Sequence, residues 1–295
     1  MIILTGGGGF IGSVVLGYLN KQGIKDVVIF DDMANGYQCI NLANKEFISL
    51  HQHSKDERLT LAPSDITCVI HIGARADTLE MNWELLYKDN VAATRRWSKF
   101  CKANNIPFIF ASSAAVTGNG NGPVNPYAFS KAVCEREIEE GVILRFFNVY
   151  GPNEYHKFRM ASVIHKWHKD IIRADNGPIL QLFKGSENYK RDFIYVEDVA
   201  RVVHHFILNY KPGTYDVGTG TAVSFKDVAS EVIKNMGRGE IVDIDMPLDL
   251  GSQYQTFTQA DTANLEQSGF DTKSLIPYTE GVRAYITYLD KKLYY

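Results

Sequence analysis

Residues 1–12, Met-Ile-Ile-Leu-Thr-Gly-Gly-Gly-Gly-Phe-Ile-Gly, join a short apolar run to a glycine cluster and the first turn of an amphipathic stretch. The run at 2–4 predicts a strand, and Ile11, Val14, Val15, Tyr18 and Leu19 recur at helical spacing through 10–23. Gly6, Gly9 and Gly12 fall in a GxxGxxG pattern between the two. Glycine permits the sharp turn, and its missing side chain lets an anion approach the N–H groups of the helix N-terminus. A glycine cluster alone also fits a plain turn. Asp31 decides between the readings: it ends the second apolar run 19 positions after Gly12, near the roughly 20-residue offset of a carboxylate that holds an adenosine ribose. The segment is therefore read as a dinucleotide site.

The same pattern extends outward. Apolar, β-rich runs at 27–30, 47–50, 68–72, 108–111 and 142–146 alternate with helical stretches, which argues an α/β fold with a doubly wound parallel sheet. After Gly151-Pro152 the alternation loosens, with a helix expected at 160–172 and a strand at 179–183. A sheet strand at 193–196, a helix at 199–208 capped by Asp198, and a strand at 214–217 suggest that the chain then returns to the first domain. The expected organisation is a first domain of 1–150 plus about 192–220 that binds the dinucleotide. A smaller substrate domain follows from about 151–191 and 221–295.

Composition excludes several classes. With 31 Lys and Arg against 34 Asp and Glu in 295 residues, the net charge of −3 gives no basic footprint for nucleic acid or anionic lipid. No apolar run reaches the roughly 20 residues of a membrane span, and the first residues lack the flank and core of a signal peptide. Cys39, Cys68, Cys101 and Cys134 are scattered without metal-like spacing, so reduced thiols and a cytoplasmic location are expected. His165 and His168 lack acidic or cysteine partners at ligand spacing, so no metal site is expected, and His51-Gln-His53 reads as a solvated segment. Among the tyrosines, Tyr285, Tyr288, Tyr294 and Tyr295 read as a terminal packing or contact face.

Chemistry enters with Asn125-Pro-Tyr127-Ala-Phe-Ser-Lys131. Asn125 suits a helix cap and Pro126 the first helical position, so Tyr127 and Lys131, four apart, share a face. A phenol titrates near pH 10. An adjacent ammonium and an oxidised nicotinamide would lower it towards a usable base. Ser113, at the end of the preceding strand, can supply a hydroxyl to the same reacting oxygen. Asp31 is followed by Asp32, and 26–44 holds no Lys or Arg, so NAD is favoured over NADP unless Lys45 or Lys55 folds back.

TGGGGFIG (5–12), SSAAV (112–116), YAFSK (127–131) and RFFNVYGP (145–152) resemble the extended short-chain dehydrogenase/reductases, whose fold is a Rossmann-type sheet. NVYGPNEYHKFRMASV (148–163), FKGSENYKRDFIYVEDVA (183–200) and QYQTFTQAD (253–261) narrow the likeness to the ADP-glyceromanno-heptose 6-epimerases, from residue 1 to about 289. The resemblance implies that Tyr127 and Lys157 act from opposite faces of carbon 6 of the heptose. Hydride leaves for NAD, a transient ketone presents its other face, and hydride returns with inversion. Without the family likeness Lys157 reads as a solvated loop residue. Matching positions imply cofactor contacts from Gly6, Gly9, Phe10, Ile11, Gly12, Asp31, Asp32, Ile72, Gly73, Ala74, Arg75, Ala76, Asn90, Tyr127, Lys131, Val149 and Lys157. Substrate contacts are implied for Ser113, Asn148, Arg159, Lys166, Phe183, Lys184, Gly185, Ser186, Arg191 and Tyr254. Arg191 suits a diphosphate through its guanidinium fork, or else forms an ion pair with Asp192 or Glu187. A homo-oligomer is also expected.

Several positions depart from that family. Thr117 stands where Tyr is usual, the link from Ser113 to Tyr127 is short, and Arg159, Lys166 and Lys184 replace a small polar residue, a His and an acid. These predict a more cationic, more open pocket. Competing readings are a UDP- or dTDP-hexose epimerase or dehydratase, and a non-catalytic dinucleotide sensor. Ala114-Ala115 stands where dehydratases carry an Asp-Glu pair, and the retained Ser113, Tyr127 and Lys131 argue against a sensor.

Overall fold

Both faces of the first strands are buried, which is why their apolar runs do not alternate with polar residues. The computed structural model describes residues 1–52, 61–118, 120–175, 177–247 and 255–291. It begins β1 (Ile2–Thr5), α1 (Phe10–Lys21), β2 (Val27–Phe30), α2 (Gly36–Leu42), β3 (Ser49–His51) and β4 (Cys68–His71). A long helix follows, with α3 (Trp83–Leu86), a π-helical stretch Tyr87–Ala92 and α4 (Ala93–Ala103) in continuity. Then come β5 (Phe108–Ser113), α5 (Pro126–Glu137), β6 (Val142–Phe146), β7 (Asn148–Tyr150), α6 (Val163–Arg173), β8 (Ile179–Phe183) and β9 (Lys190–Tyr195). The rest is α7 (Val196–Leu208), β10 (Gly213–Val217), β11 (Ala222–Ser224), α8 (Phe225–Met236), β12 (Glu240–Ile244) and a C-terminal helix, Tyr278–Asp290.

Seven strands form one parallel sheet in the order β3-β2-β1-β4-β5-β6-β10. Ile2, Leu4, Val27 and Ile29 pack under α1 and α7, while Ile3, Val28 and Phe30 enter the opposite core with Trp97 of α4. Each fully buried aliphatic side chain there contributes about 1.5–3 kcal/mol. The order reverses between β1 and β4, and ligands of such sheets bind in the crevice beyond the strand ends at that switch point. A second core gathers Tyr150, Trp167, Leu180, Phe193, Val232 and Tyr285 from α6, α8, the C-terminal helix and two small sheets.

Several local expectations are corrected. The 193–196 run does not join the main sheet: β9 pairs with β7 and β11, and the return is made by α7 and β10. Asp198 is no cap. The α7 helix starts at Val196, and Asp198 is buried in its first turn, accepting from Arg201 at 2.7 Å and from the Ile276 amide at 2.7 Å. The helix expected from 160 begins at Val163 with Ser162 as its cap, because Tyr155–Met160 forms a separate 3-10 turn. His51 is not solvated but half-buried, stacked 5.2 Å from Phe30; His53 lies outside the described residues. The packing reading of Tyr285 and Tyr288 does hold, since both are buried in the second core; 294 and 295 lie outside the described residues. No described helix is long and apolar enough to cross a membrane.

Candidate active site

The glycine turn is a steric necessity at two points. A Cβ on Gly12 would lie 2.1 Å from the Gly6 carbonyl oxygen, and one on Gly6, at φ +71°, would lie 2.6 Å from Gly73 Cα. Gly9 caps α1 without any side-chain hydrogen bond, so no side chain competes for the N–H groups that would receive an anion. A cleft of about 610 Å³ opens here, lined by Gly6, Gly9, Phe10, Ile11, Gly12, Asp31 and Asp32, by Ile72, Gly73, Ala74, Arg75 and Ala76, and by Lys157. Asp31 is buried at its floor: one carboxylate oxygen accepts from the Gly8 amide at 2.9 Å, the other from Met33 at 2.9 Å and Gln38 at 3.2 Å. These residues fit a dinucleotide with its diphosphate at the glycine turn and its ribose at Asp31.

Lys45 does not turn back to that ribose. Its amine feels Lys21, in the last turn of α1, and burial and that like charge push it down to about 8. The length of α1, roughly 18 Å at 1.5 Å per residue, separates that turn from the cradle. Lys55 lies outside the described residues. Besides Arg75 and Lys157, the cleft is lined by two cations from the helix after β4, Lys88 and Arg96.

A buried polar chain sets the loop after β4. Thr94 Oγ1 meets His71 Nε2 at 3.1 Å, His71 Nδ1 meets Thr5 Oγ1 at 2.7 Å, and the Gly73 amide donates to Thr5 Oγ1 at 3.0 Å. Asn90, in the π-helical stretch, accepts from the Arg75 amide at 2.7 Å and donates to the Arg75 carbonyl at 3.1 Å and to Ser130 of α5 at 2.9 Å. The wider helical turn lets Asn90 join that loop to the helix of Tyr127. Arg75 itself is paired with Asp89 at 2.8 Å.

Asn125 caps α5 by accepting from Ala128 at 2.8 Å, with Pro126 at the first helical position. Tyr127 and Lys131 are both buried. Burial drives the Tyr127 phenol up to about 12, and a hydrogen bond with Ser113 acts against it. Lys131 is pushed down to about 8 by burial; its amine donates to the Ala111 carbonyl at 2.7 Å and lies 4.7 Å from the Phe110 ring centre. At the phenol desolvation therefore outweighs the Ser113 hydrogen bond, in a site without the nicotinamide on which the expected lowering depends.

Lys157 belongs to a turn built on two buried polar residues. Glu154 accepts from the Gly151 amide at 3.2 Å, from Ser162 Oγ at 2.7 Å and from the Ser162 amide at 2.5 Å. Asn153 donates to Ser13 of α1 at 2.9 Å and accepts from Tyr288 at 3.1 Å. Asn41 donates to the Gly8 carbonyl at 3.0 Å and reaches the Asn153 carbonyl at 3.4 Å, tying this turn to the glycine loop. The Lys157 amine lies 5.0 Å from the Phe10 ring centre; burial lowers its pKa and Glu154 acts in the opposite sense. Asn41, Asn153 and Glu154 were missed in the sequence, where the only signal was two polar residues directly after Gly151-Pro152.

The residues matched to the sugar side are spread over β7, β8, β9 and their turns. Val149 packs against the first core and Asn148 is exposed at the start of β7. Phe183 ends β8, and Gly185 makes the following turn at φ +83°. Arg191 is nearly buried, donating to the carbonyls of Lys190, at 3.0 Å, and Gln255, with Phe225 beneath it. Asp192 serves a different purpose, accepting from Thr219, Gly220 and Ala260. Ser186 Oγ, Gln255 Nε2 and Thr258 Oγ1 are buried without a hydrogen-bond partner. Native proteins rarely leave such atoms unpaired, which marks this region as able to receive a polar ligand. Tyr254 lies outside the described residues.

The expected cationic surplus is reduced. Arg159 pairs with Asp77 at 2.5 Å and Lys184 with Asp245 at 2.8 Å, while Lys166 on α6 is influenced by both Glu154 and Lys157. Of the two histidines on α6, His165 contacts Tyr285 at 3.0 Å and is pushed down to about 4 by burial, and His168 pairs with Asp290 at 2.8 Å.

Residues 2–218 match the NAD dependent epimerase/dehydratase family. The chain belongs to this family. NAD is its cofactor, and epimerases and dehydratases of nucleotide sugars are its enzymes. The chain is similar to UDP-N-acetylglucosamine 4-epimerase from Methanobrevibacter ruminantium, with a TM-score of 0.84, 25% identity, and 99% and 98% of the two chains covered. It is similar also to ADP-L-glycero-D-manno-heptose-6-epimerase from Helicobacter pylori, with a TM-score of 0.82, 26% identity, and 98% and 96% covered. UDP-glucose 4-epimerase from Thermotoga maritima shares the fold at a TM-score of 0.84 and 23% identity over 99% of each chain.

Proposed function

We propose that this family member is a nucleotide-sugar 6-epimerase acting on an ADP-glycero-manno-heptose or a close analogue. The observation that carries this reading is Lys157: a desolvated amine lining the cleft, on a different element from Tyr127. A reaction on two faces of one carbon needs two groups that handle protons, and a single tyrosine serves one face. In this reading 1–150 with about 192–220 hold NAD, and about 151–191 with 221–295 hold the sugar nucleotide.

NAD, when bound, takes a hydride from the sugar carbon and returns it. Tyr127 Oη receives the hydroxyl proton as the alcohol becomes a ketone, with Ser113 bonded to the phenol. Lys131 fixes the cofactor ribose beside it. The ketone would then offer its opposite face, and the Lys157 ammonium would give a proton to the oxygen as hydride returns, after which Tyr127 loses its proton to solvent and Lys157 takes one up. Arg191 meets the diphosphate, and Ser186, Gln255 and Thr258 supply the buried polar atoms around it.

Offering ADP-heptose and UDP-hexoses in deuterated water tests the reading. ADP-heptose should be inverted at carbon 6 with no solvent deuterium on that carbon, because the hydride returns from the cofactor. Turnover of UDP-hexoses alone would instead give a 4-epimerase, and deuterium at carbon 6 would defeat the redox route.

A further inference from the structure

The turn that carries Lys157 joins the two flanks of the switch point. On one side Tyr37 of α2 meets Tyr155 with ring centres 6.3 Å apart and Phe158 at 6.0 Å. On the other, Arg159 forms its ion pair with Asp77 in the loop after β4. The strands β2 and β4 lie on opposite sides of β1, whose end carries the glycine cradle. Tyr155–Met160 therefore crosses over that cradle, and His156, Lys157 and Met160 line the cleft beneath.

Each end of the turn is anchored, by Asn153 and Glu154 before it and by Ser162 after it. Phe158, between them, holds φ +45° and ψ −112° and is 62% exposed. A bulky L residue rarely holds such a backbone without compensation. Aromatic contacts with Tyr37 and the Arg159–Asp77 ion pair supply that compensation.

We propose that Tyr155–Met160 is a strap closed over the bound dinucleotide, latched by Arg159 and Asp77, that retains the cofactor between the two hydride transfers. An internal redox cycle needs such retention, since a reduced cofactor that escapes strands the ketone. The latch is suited to opening: Arg159 is 66% exposed and Asp77 25%, and exposed ion pairs shift an equilibrium only a few-fold. The inference rests on the dinucleotide site and not on the proton role of Lys157.

The test is the release rate of NADH from the holoenzyme without substrate, followed by cofactor fluorescence in stopped flow with excess NAD as the displacing ligand. Arg159→Ala and Asp77→Asn should each speed release about 3–5-fold. The double variant should release no faster than the singles, and the salt dependence of wild-type release should vanish in all three. Wild-type release rates and salt dependence in both single variants, with unchanged circular dichroism, would overturn the strap. Two effects that multiply in the double variant would overturn the latch pairing. Because no sugar is present, either result is independent of the epimerase reading.

Discussion

Replacing Ser113 by alanine shows how a buried phenol becomes a base. Burial is the main cause that raises Tyr127 to about 12, a value already held down by its hydrogen bond with Ser113. A hydrogen bond to a charged group is worth about 1.5–3 kcal/mol, and one pKa unit corresponds to about 1.4 kcal/mol. Losing the bond should therefore lift the phenol by about one to two units. In the proposed mechanism oxidation uses the phenolate, so at neutral pH the rate should fall by ~10–100-fold. The deficit should shrink as pH rises towards the titration of Tyr127, where both enzymes recover the ionised form. The assay is single-turnover formation of reduced cofactor against pH in wild type and Ser113→Ala. A deficit of constant size at every pH, with an unmoved midpoint, would refute the reasoning and leave Ser113 as a substrate contact only.

Lys131→Met should weaken NAD affinity and turnover together, measured by titration and steady-state kinetics. The same residue has a stability signature: its folded pKa is about 8 against 10.5 unfolded, so the unfolded chain holds more protons between those values and stability rises with pH there. Denaturant melts of the cofactor-free protein should show that rise in wild type relative to Lys131→Met, and a constant difference across pH 8 to 10.5 would contradict it. NAD should bind at least tenfold tighter than NADP, about 1.4 kcal/mol, because Asp31 and Asp32 would face a 2′-phosphate; parity in a titration would bring Arg96 or Lys88 into the ribose site. Lys157→Met should abolish epimerisation yet leave hydride exchange at the Tyr127 face, read as reduced cofactor formed with substrate, whereas full epimerase activity would return both faces to Tyr127.

What could be read in the sequence depended on how local the physics was. The glycine turn, the Asp31 offset and the Tyr127–Lys131 pair lie within one strand–turn–helix or one helix, so spacing alone placed them. The hub beneath Lys157 joins residues far apart in the chain: Asn153 to Ser13, Asn41 to Asn153, Glu154 to the α6 cap. Such bonds leave no periodic trace. The 3-10 turn Tyr155–Met160 is not legible, because neither glycine nor proline at 155–160 announces the Phe158 backbone. The raising of the phenol by burial is likewise invisible in the sequence, since it depends on how the chain packs around Tyr127.

The two proposed proton-handling groups stand on scaffolds of different stiffness. Tyr127 rises from a capped helix, buried, with its loop fixed by Asn90 and Ser130. Lys157 is carried by a short turn whose middle residue is strained, though its base is clamped by Asn153 and Glu154. Burial pushes the phenol up and the amine down, and each has one neighbour working against burial: Ser113 for the phenol, Glu154 for the amine. Moving Tyr127 would disturb α5, whose Cys134 packs in the core of Trp97. Moving the Lys157 turn breaks an exposed ion pair and an aromatic contact, both weak and both reversible. The division places the base that never needs to move in the rigid sheet-and-helix frame. It places the other on the turn that crosses the cradle, where Phe158 holds a left-handed backbone.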